Sequence, residues 1–444
     1  MSVVNIVIEV EAVMPMSNKL FSELALRSGG SLRNRVAKAA MEENMAGRAQ
    51  LPDERLISLY RHWGAGGAAL LITGNVMVHA EALTGPGGVV LDEHAAVAPF
   101  AQWAEAGKAG GAAMWMQISH PGRQVRAEMP GVAWAPSAVG IELGRHSKRF
   151  SRPVAMTERQ IHETIERFAT TAALAERAGF DGVEIHAAHG YLISQFLSPL
   201  VNQRVDQWGG PLENRARLLL DVVRRIRDVV SQPFAVAVKL NSADFQRGGF
   251  EPGDAADVIA MLEPLGVDLV ELSGGSYESP AMAGRPSDGR TAAREAYFLE
   301  LAADMATTSP LPLMLTGGIR TRESAEQVLS SGVDLVGMAT AIAVTPDLPR
   351  RWHDGAEASE QLRPVTWSDK TLASAASMAL VRHQMRRITR GKRPAGKTHP
   401  IRALICDQRH QRRSLRRYRD WLEHRTASRD TAPITTATPL ETRP

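Results

Sequence analysis

The chain has 444 residues, 44% of them hydrophobic and 23% charged, the composition of a globular protein long enough for one large domain or two to three small ones. No apolar run reaches the ~18–20 residues of a membrane span, and the single cysteine, Cys406, excludes an internal disulfide, a four-cysteine zinc site and a cysteine-held iron–sulfur cluster. The net charge of +4 hides an asymmetry: Arg382 to Arg429 holds 16 Lys or Arg against three acidic residues, so the rest of the chain is net acidic.

At the start, Met1 to Met16 has apolar stretches interrupted by Glu9 and Glu11. It lacks a basic leader and a small-residue cleavage site, so the expectation is a cytoplasmic protein without a signal peptide. Eight short apolar runs then recur. The first, Arg35–Met41, is followed by an amphipathic stretch, Asp53–Trp63, that stops at Gly64. Leu70–Met77 and Ala112–Ile118 come next, and then a helix is predicted over Thr157–Ala178, opened by a Thr157/Gln160 capping box. Gly182–Ala187, Phe234–Leu240, Asp268–Gly274, Pro312–Gly317 and Asp334–Ala339 complete the runs. Helical patterns over Leu212–Val230, Pro252–Leu262, Arg294–Thr307 and Thr321–Leu329 separate them. The runs show little polar alternation, as strands buried on both faces do. Strand–helix alternation repeated eight times predicts an α/β fold, a (β/α)8 TIM barrel, over residues 18–346. A doubly wound sheet is the alternative, but no G-x-G-x-x-G follows the first strand.

In such a barrel the active site lies at the carboxyl ends of the strands. The longest loop there, Ser119–Val154, reads as a lid or substrate-contact segment. After Pro346 the pattern changes to an extension over residues 347–444. A helix over Thr366–Ile388, a linker over Gly391–Pro400 and a basic helix over Ile401–Arg425 are expected, with a disordered end. Polyanion binding by this tail would need more than Tyr418 and Trp421 as interleaved aromatics, so nucleic acid is not the expected partner; a solvated or oligomer-contacting helix is.

The richest chemistry is Glu184-Ile185-His186-Ala187-Ala188-His189-Gly190-Tyr191 at the end of the fourth strand. His186 and His189 at i, i+3 lack a third ligand nearby, so no metal is expected. Imidazoles can donate to an oxygen that gains negative charge, and Tyr191 can deliver a proton as a neutral acid. Gln117, ending the third strand, offers an amide that donates and accepts, which suits a pyrimidine-like edge. Lys239, ending the fifth, could meet an anionic cofactor or a phosphate. Gly317-Gly318 after strand seven and Ala339-Thr340 after strand eight stand where barrels often hold phosphate.

Asn34-Arg35-Val36, the Gln117/His120/Gly122/Arg123 segment, and Glu184 to Leu192 followed by Gln195-Phe196-Leu197-Ser198-Pro199 resemble the Old Yellow Enzyme family, as do Asn202-Gln203-Arg204, Asp206, Gly209-Gly210 and Glu213-Asn214-Arg215. The resemblance spans roughly Leu20 to Pro346. It implies FMN rather than FAD, NADH or NADPH as donor, and ene-reduction of a small-molecule substrate. His186 and His189 would then hold the substrate oxygen, with Asn44 also at the substrate. Tyr191 would protonate the α-carbon, and Gln117 would bind the flavin pyrimidine edge. Lys239 stands where the family has a basic residue beside flavin N1 and the C2 oxygen. Gly74 and the backbone of Ala39, Ala40 and Met41 would line the ring, and Gly317, Gly318, Ala339 and Thr340 would receive the phosphate.

Two positions depart from the family pattern. Glu42, or Glu43 under a one-residue shift, takes the place of the usual Cys or Thr near the flavin C4 oxygen. If Glu42 turns away instead, Lys38 or Arg123 is the expected basic partner. Ala339-Thr340 replaces the usual Gly-Arg. A diaphorase or oxidase using the same flavin with a quinone or oxygen is the competing enzyme reading, and a homo-oligomer is expected.

Overall fold

The computed structural model describes residues 18–279, 299–356 and 362–430. Eight parallel strands close into a barrel: β1 Val36–Lys38, β2 Leu70–Ile72, β3 Ala113–Ser119, β4 Gly182–Ala187, β5 Ala235–Asn241, β6 Leu269–Ser273, β7 Leu313–Thr316 and β8 Leu335–Met338. Each pairs with the next, β8 pairs with β1, and β3 pairs with β4, so the sheet has no open edge in the barrel. That closure excludes the doubly wound alternative. The second predicted run is split: after Ile72 the chain breaks, and Val76–Met77 pairs separately with the end of β3.

The outer ring comprises α1 Glu54–Gly64, α2 Ala98–Lys108, α3 Glu158–Arg177, α4 Leu212–Val229, α5 Pro252–Leu262, α6 Leu299–Thr308, α7 Arg322–Ser330 and α8 Leu348–His353. The Thr157/Gln160 capping box opens α3 as expected. Helix α2 was not anticipated, because its Ala- and Gly-rich sequence carries a weak apolar stripe. Its buried face is nonetheless built on Phe100 and Trp103, and Trp103 packs edge-on to Tyr60 of α1. The start of the helix expected at Arg294 lies outside the described residues. Helix α8 seals the barrel with a fully buried Trp352, a burial worth about 1.5–3 kcal/mol.

The barrel interior is layered. Its lower layer is apolar, built from Leu70, Trp115, Ala237, Leu269, Met314 and Leu335 among others. Two residues further along the strands, the upper layer is polar: Gln117, Glu184, Lys239, Glu271 and Thr316, all buried. The period-two side-chain alternation of strands aims both layers inward. In register, Gln117 lies beside Glu184, His186 beside Lys239, and Lys239 beside Glu271.

The extension expected from residue 347 gives its first helix, α8, to the outer ring; beyond it, the described residues form two helices. Helix α9, Lys370–Ile388, starts four residues later than expected because the Asp369 carboxylate caps it, accepting from the Leu372 N–H at 3.0 Å. Helix α10 runs Pro400–Asp430, and the expected disordered end beyond it lies outside the described residues. One face of α10 is solvated and carries exposed Arg402, Arg409, Arg412, Arg413, Arg416 and Arg419. The other face docks on the barrel rim, which a purely solvated or oligomer-contacting helix would not do. Tyr418 is fully buried among Met77, Ala80, Leu83, Val90 and Met129, and its hydroxyl donates to Ala80 O at 2.8 Å. Arg425 reaches Asp92 at 2.5 Å.

Candidate active site

The end of β4 turns sharply, and the turn gathers His186, His189 and Tyr191. His189 has φ +60, a left-handed conformation, and its N–H donates to Asn241 Oδ1 at 3.0 Å, which holds the strain in place. The His186 ring lies 5.1 Å from His189 and 4.7 Å from Tyr191, edge-on in both cases. His186 Nδ1 accepts from the Ala188 N–H at 3.3 Å, so the neutral ring carries its proton on Nε2 and presents it as a donor. Ser273 Oγ lies 2.7 Å from His189 Nε2, leaving Nδ1 for a ligand. Burial pushes both imidazoles well below the ordinary range; His189 and Lys239 add to this at His186, and Lys239 at His189. Both rings are therefore neutral donors at neutral pH.

Tyr191 is nearly buried, and its hydroxyl lies 3.1 Å from the Tyr277 hydroxyl. Burial and the second phenol push Tyr191 well above its usual value, and burial raises Tyr277 to about 12. Both remain neutral acids.

The rest of the long sequence signature is scaffold. Gln195 donates to Pro121 O and Gly190 O and accepts from the Arg123 N–H, tying the β3 and β4 turns together. Gly122, at φ +60, presses against this amide so closely that any side chain would collide with it. Asn202 donates to Phe196 O and Trp208 O, and Asn214 to Gly209 O. Arg123 is a buttress: it reaches Gly140 O and pairs with Glu278, which pins the Ser119–Val154 excursion.

On the upper barrel layer, Gln117 Nε2 donates to Glu184 at 2.6 Å, and Lys239 Nζ donates to Glu271 at 2.5 Å. Gly317 and Gly318 after β7 and Ala339 and Thr340 after β8 are half-buried on adjacent strand ends. Ala39 and Met41 are buried after β1, and the Ala39 N–H is already used by Met338 O. At Gly74 an added Cβ would collide with the Glu43 carboxylate and lie 2.5 Å from Met41 O, so only glycine fits against the chain after β1.

Glu42 is paired, but its basic partner is neither Lys38 nor Arg123. Glu42 accepts from the Thr84 hydroxyl and lies 3.6 Å from Arg382 of α9. Glu43 is the residue beside Lys38, at 3.8 Å; it also accepts from Tyr60 and from the Gly74 N–H. Burial brings Lys38 down to about 8. Asn44 is gripped from the extension: with its amide oxygen turned to Arg382 it accepts at 2.8 and 3.1 Å, and its carbonyl meets His410 Nε2 at 2.9 Å. Asp407 in turn holds Arg382 at 3.2 Å and Arg386 at 2.9 Å.

Sequence reading missed Tyr277, Ser273, Asn241, Glu271 and Arg382. Glu271 was accessible, since it alternates inward with Leu269 along β6. Arg382 was not: nothing local marks which arginine of a basic tail folds back.

Several buried polar atoms at the strand ends lack partners among the described residues: Asn75 Oδ1 beyond β2, Ser119 Oγ on β3 and Ser242 Oγ beyond β5. Unsatisfied polar groups at three strand ends leave hydrogen-bonding capacity for a polar cofactor. Barrel, strand-end imidazoles and phenol fit an oxidoreductase that works with a bound flavin. The chain belongs to the NADH:flavin oxidoreductase / NADH oxidase family, whose model matches residues 19–359. It is 37% identical over 352 residues to the NADH-dependent flavin oxidoreductase iliE of Hypocrea jecorina, covering 74% of this chain and 87% of that one. It is 33% identical over 347 residues to an NADPH dehydrogenase of Halalkalibacterium halodurans, covering 76% and 94%. An Old Yellow Enzyme homologue from Zymomonas mobilis superposes with a TM-score of 0.65 at 26% identity, covering 77% and 94%. The enzyme uses FMN and takes electrons from NAD(P)H. No helix among the described residues is long and apolar enough to cross a membrane.

Proposed function

We propose that this enzyme reduces the C=C bond of activated alkenes, with His186 and His189 holding the substrate's activating oxygen and Tyr191 supplying the proton. The observation that carries it is the triad of neutral donors: two imidazoles kept uncharged by burial and one phenol, with ring centres 4.7 and 5.1 Å from His186. FMN, when bound, would supply the hydride. Nε2–H of His186 and Nδ1 of His189 converge on the oxygen of an enone and draw electron density toward it. That polarises the alkene. The Tyr191 hydroxyl donates to the carbon next to the carbonyl, and Tyr277 orients it through the 3.1 Å contact. Gln117 and Lys239 would hold the pyrimidine edge of the flavin, with Lys239 supplying positive charge where the ring becomes electron-rich. Gly74, the backbone of Ala39, Ala40 and Met41, and Glu42 would border the ring. Gly317, Gly318, Ala339 and Thr340 receive the phosphate, and Asn44 lies at the acceptor's side of the mouth.

The test is anaerobic stopped-flow. Protein reduced with NADH or NADPH is mixed with 2-cyclohexenone, and the flavin colour and saturated ketone are followed. Stoichiometric ketone supports the reading. Rapid reoxidation by oxygen or a quinone with no ketone would replace it with an oxidase or diaphorase.

A further inference from the structure

The barrel interior holds a second ionisable cluster that the proposed chemistry leaves unused. Glu184 on β4 and Glu271 on β6 are both fully buried in its upper layer. One oxygen of each is satisfied, Glu184 Oε2 by Gln117 and Glu271 Oε1 by Lys239. The others, Glu184 Oε1 and Glu271 Oε2, have no donor, although the two carboxyl groups are in side-chain contact. Two bare carboxylates cannot lie together in a dry core; like charges there drive one to keep its proton. A single proton placed between them supplies the missing donor for both orphaned oxygens at once.

We propose that Glu184 and Glu271 share one proton, with Glu184 as its holder, and that this acid pair couples Gln117 to Lys239. The coupling rests on the reading that Gln117 and Lys239 face the flavin; the shared proton does not.

The surroundings favour this division. Lys239 on β5 bonds Glu271 directly and holds it ionised, well placed to cancel its charge. Burial and the Glu271 charge raise Glu184; Lys239 opposes this only through its field, without a bond to Glu184, and Gln117 on β3 adds a neutral amide. Thr316 on β7 faces Glu271 as well, but one hydroxyl cannot satisfy the free oxygen of both acids. His186 lies two residues beyond Glu184 on β4 and is neutral. Lys38 on β1 contributes a weaker positive field to both acids. With one shared proton, the layer under the flavin holds one carboxylate and one ammonium and is neutral. Glu184 is then a positioning residue: its proton keeps Glu271 in place, and Glu271 keeps Lys239 in place.

Two measurements test this. The first uses flavin-free protein. Infrared spectroscopy at neutral pH should show the carbonyl band of a buried protonated carboxyl group in the wild type, absent in Glu184→Gln. No such band, or its persistence in Glu184→Gln, overturns the proposal. The second is the flavin midpoint potential of holoprotein. Glu184→Gln mimics the protonated acid and should leave the potential near the wild-type value. Glu271→Gln removes the one carboxylate opposing Lys239 and should raise it. Equal upward shifts in both variants would mean two ionised acids and overturn the proposal. A band present with neither potential moved overturns the coupling to the flavin and, with it, the placing of Lys239. If Glu271→Gln does not accumulate, the infrared arm still decides, because it needs only the wild type and the isosteric Glu184→Gln.

Discussion

Arg382 reaches Glu42 across 3.6 Å, joining the C-terminal extension to the segment that follows the first barrel strand. The carboxylate that departs from the family pattern is therefore half of an ion pair, and the other half comes from outside the barrel. Asp407 backs the arginine from α10, so three elements meet there.

A paired charge still acts on the flavin when it is removed alone. At ~8 Å and an effective dielectric of ~20, a unit charge is worth about 2 kcal/mol. Glu42→Gln should make the flavin easier to reduce, and Arg382→Gln should make it harder. The double variant should return close to the wild-type potential, because the pair leaves as a unit. Potentiometry of the three proteins checks this. Single variants that both leave the potential unmoved would place the pair too far from the ring to matter.

Tyr191→Phe should slow reoxidation of the reduced enzyme by an enone by about 10²–10⁴-fold and leave reduction by NAD(P)H unchanged, because only the former needs a proton. Tyr277→Phe removes a single hydrogen bond to that acid. A loss of about tenfold in the same step is expected, from a hydrogen bond worth about 0.5–1.5 kcal/mol. The rate with enone should also stay flat with rising pH through ~9, since both phenols are raised above their usual value of 10.0. An alkaline fall centred below that value would mean that the acid is another group.

The buried histidines make the fold acid-sensitive. His120, His186 and His189 are all pushed below 6.5 by burial. Above that pH neither folded nor unfolded imidazoles hold a proton. As pH falls through it, the unfolded chain takes up protons that the fold refuses, and stability is lost. Each histidine contributes a slope of up to about 1.4 kcal/mol per pH unit. Glu184 works in the opposite sense, because its raised value keeps a proton in the fold that the unfolded chain has released above 4.5. Three groups outweigh one. Denaturant titrations at about pH 7 and about pH 5.5 should give the lower midpoint at the acid end. Equal midpoints would mean that the imidazoles are accessible to protons in the fold.

The barrel was legible because its signals are local. Apolar runs such as Val36–Lys38 and Leu313–Thr316 recur between amphipathic helices, and the Thr157/Gln160 box marks a helix start by itself. His186, His189 and Tyr191 were legible because one strand end carries all three. What sequence could not give was pairing across distance. Glu43, not Glu42, lies beside Lys38; both follow β1 in irregular chain, where no strand or helix period fixes which way a side chain points. Tyr277 meets Tyr191 across 86 positions of chain, and His410 meets Asn44 across 366. Such contacts depend on how the closed barrel brings loops together and on where the extension lands.

The extension's anchor should be separable from the barrel's stability. Tyr418 fills an apolar pocket on the rim and gives its hydroxyl to Ala80 O at 2.8 Å. Tyr418→Phe keeps the ring and strands that carbonyl, at a cost of about 1–2 kcal/mol. Tyr418→Ala also empties the pocket, where truncation of a large aromatic costs about 3–5 kcal/mol. Both losses fall on contacts between α10 and the rim; the closed strand ladder of the barrel is untouched. Amide exchange should therefore quicken along α10 in both variants, more in Tyr418→Ala, while the β3 to β6 amides keep their protection. The loosening should spread to Asn44, whose carbonyl is held by His410 eight residues before Tyr418. Faster exchange around residues 44–47 is thus expected in step with α10. Uniformly faster exchange across barrel and extension would show instead that the two unfold as one cooperative unit.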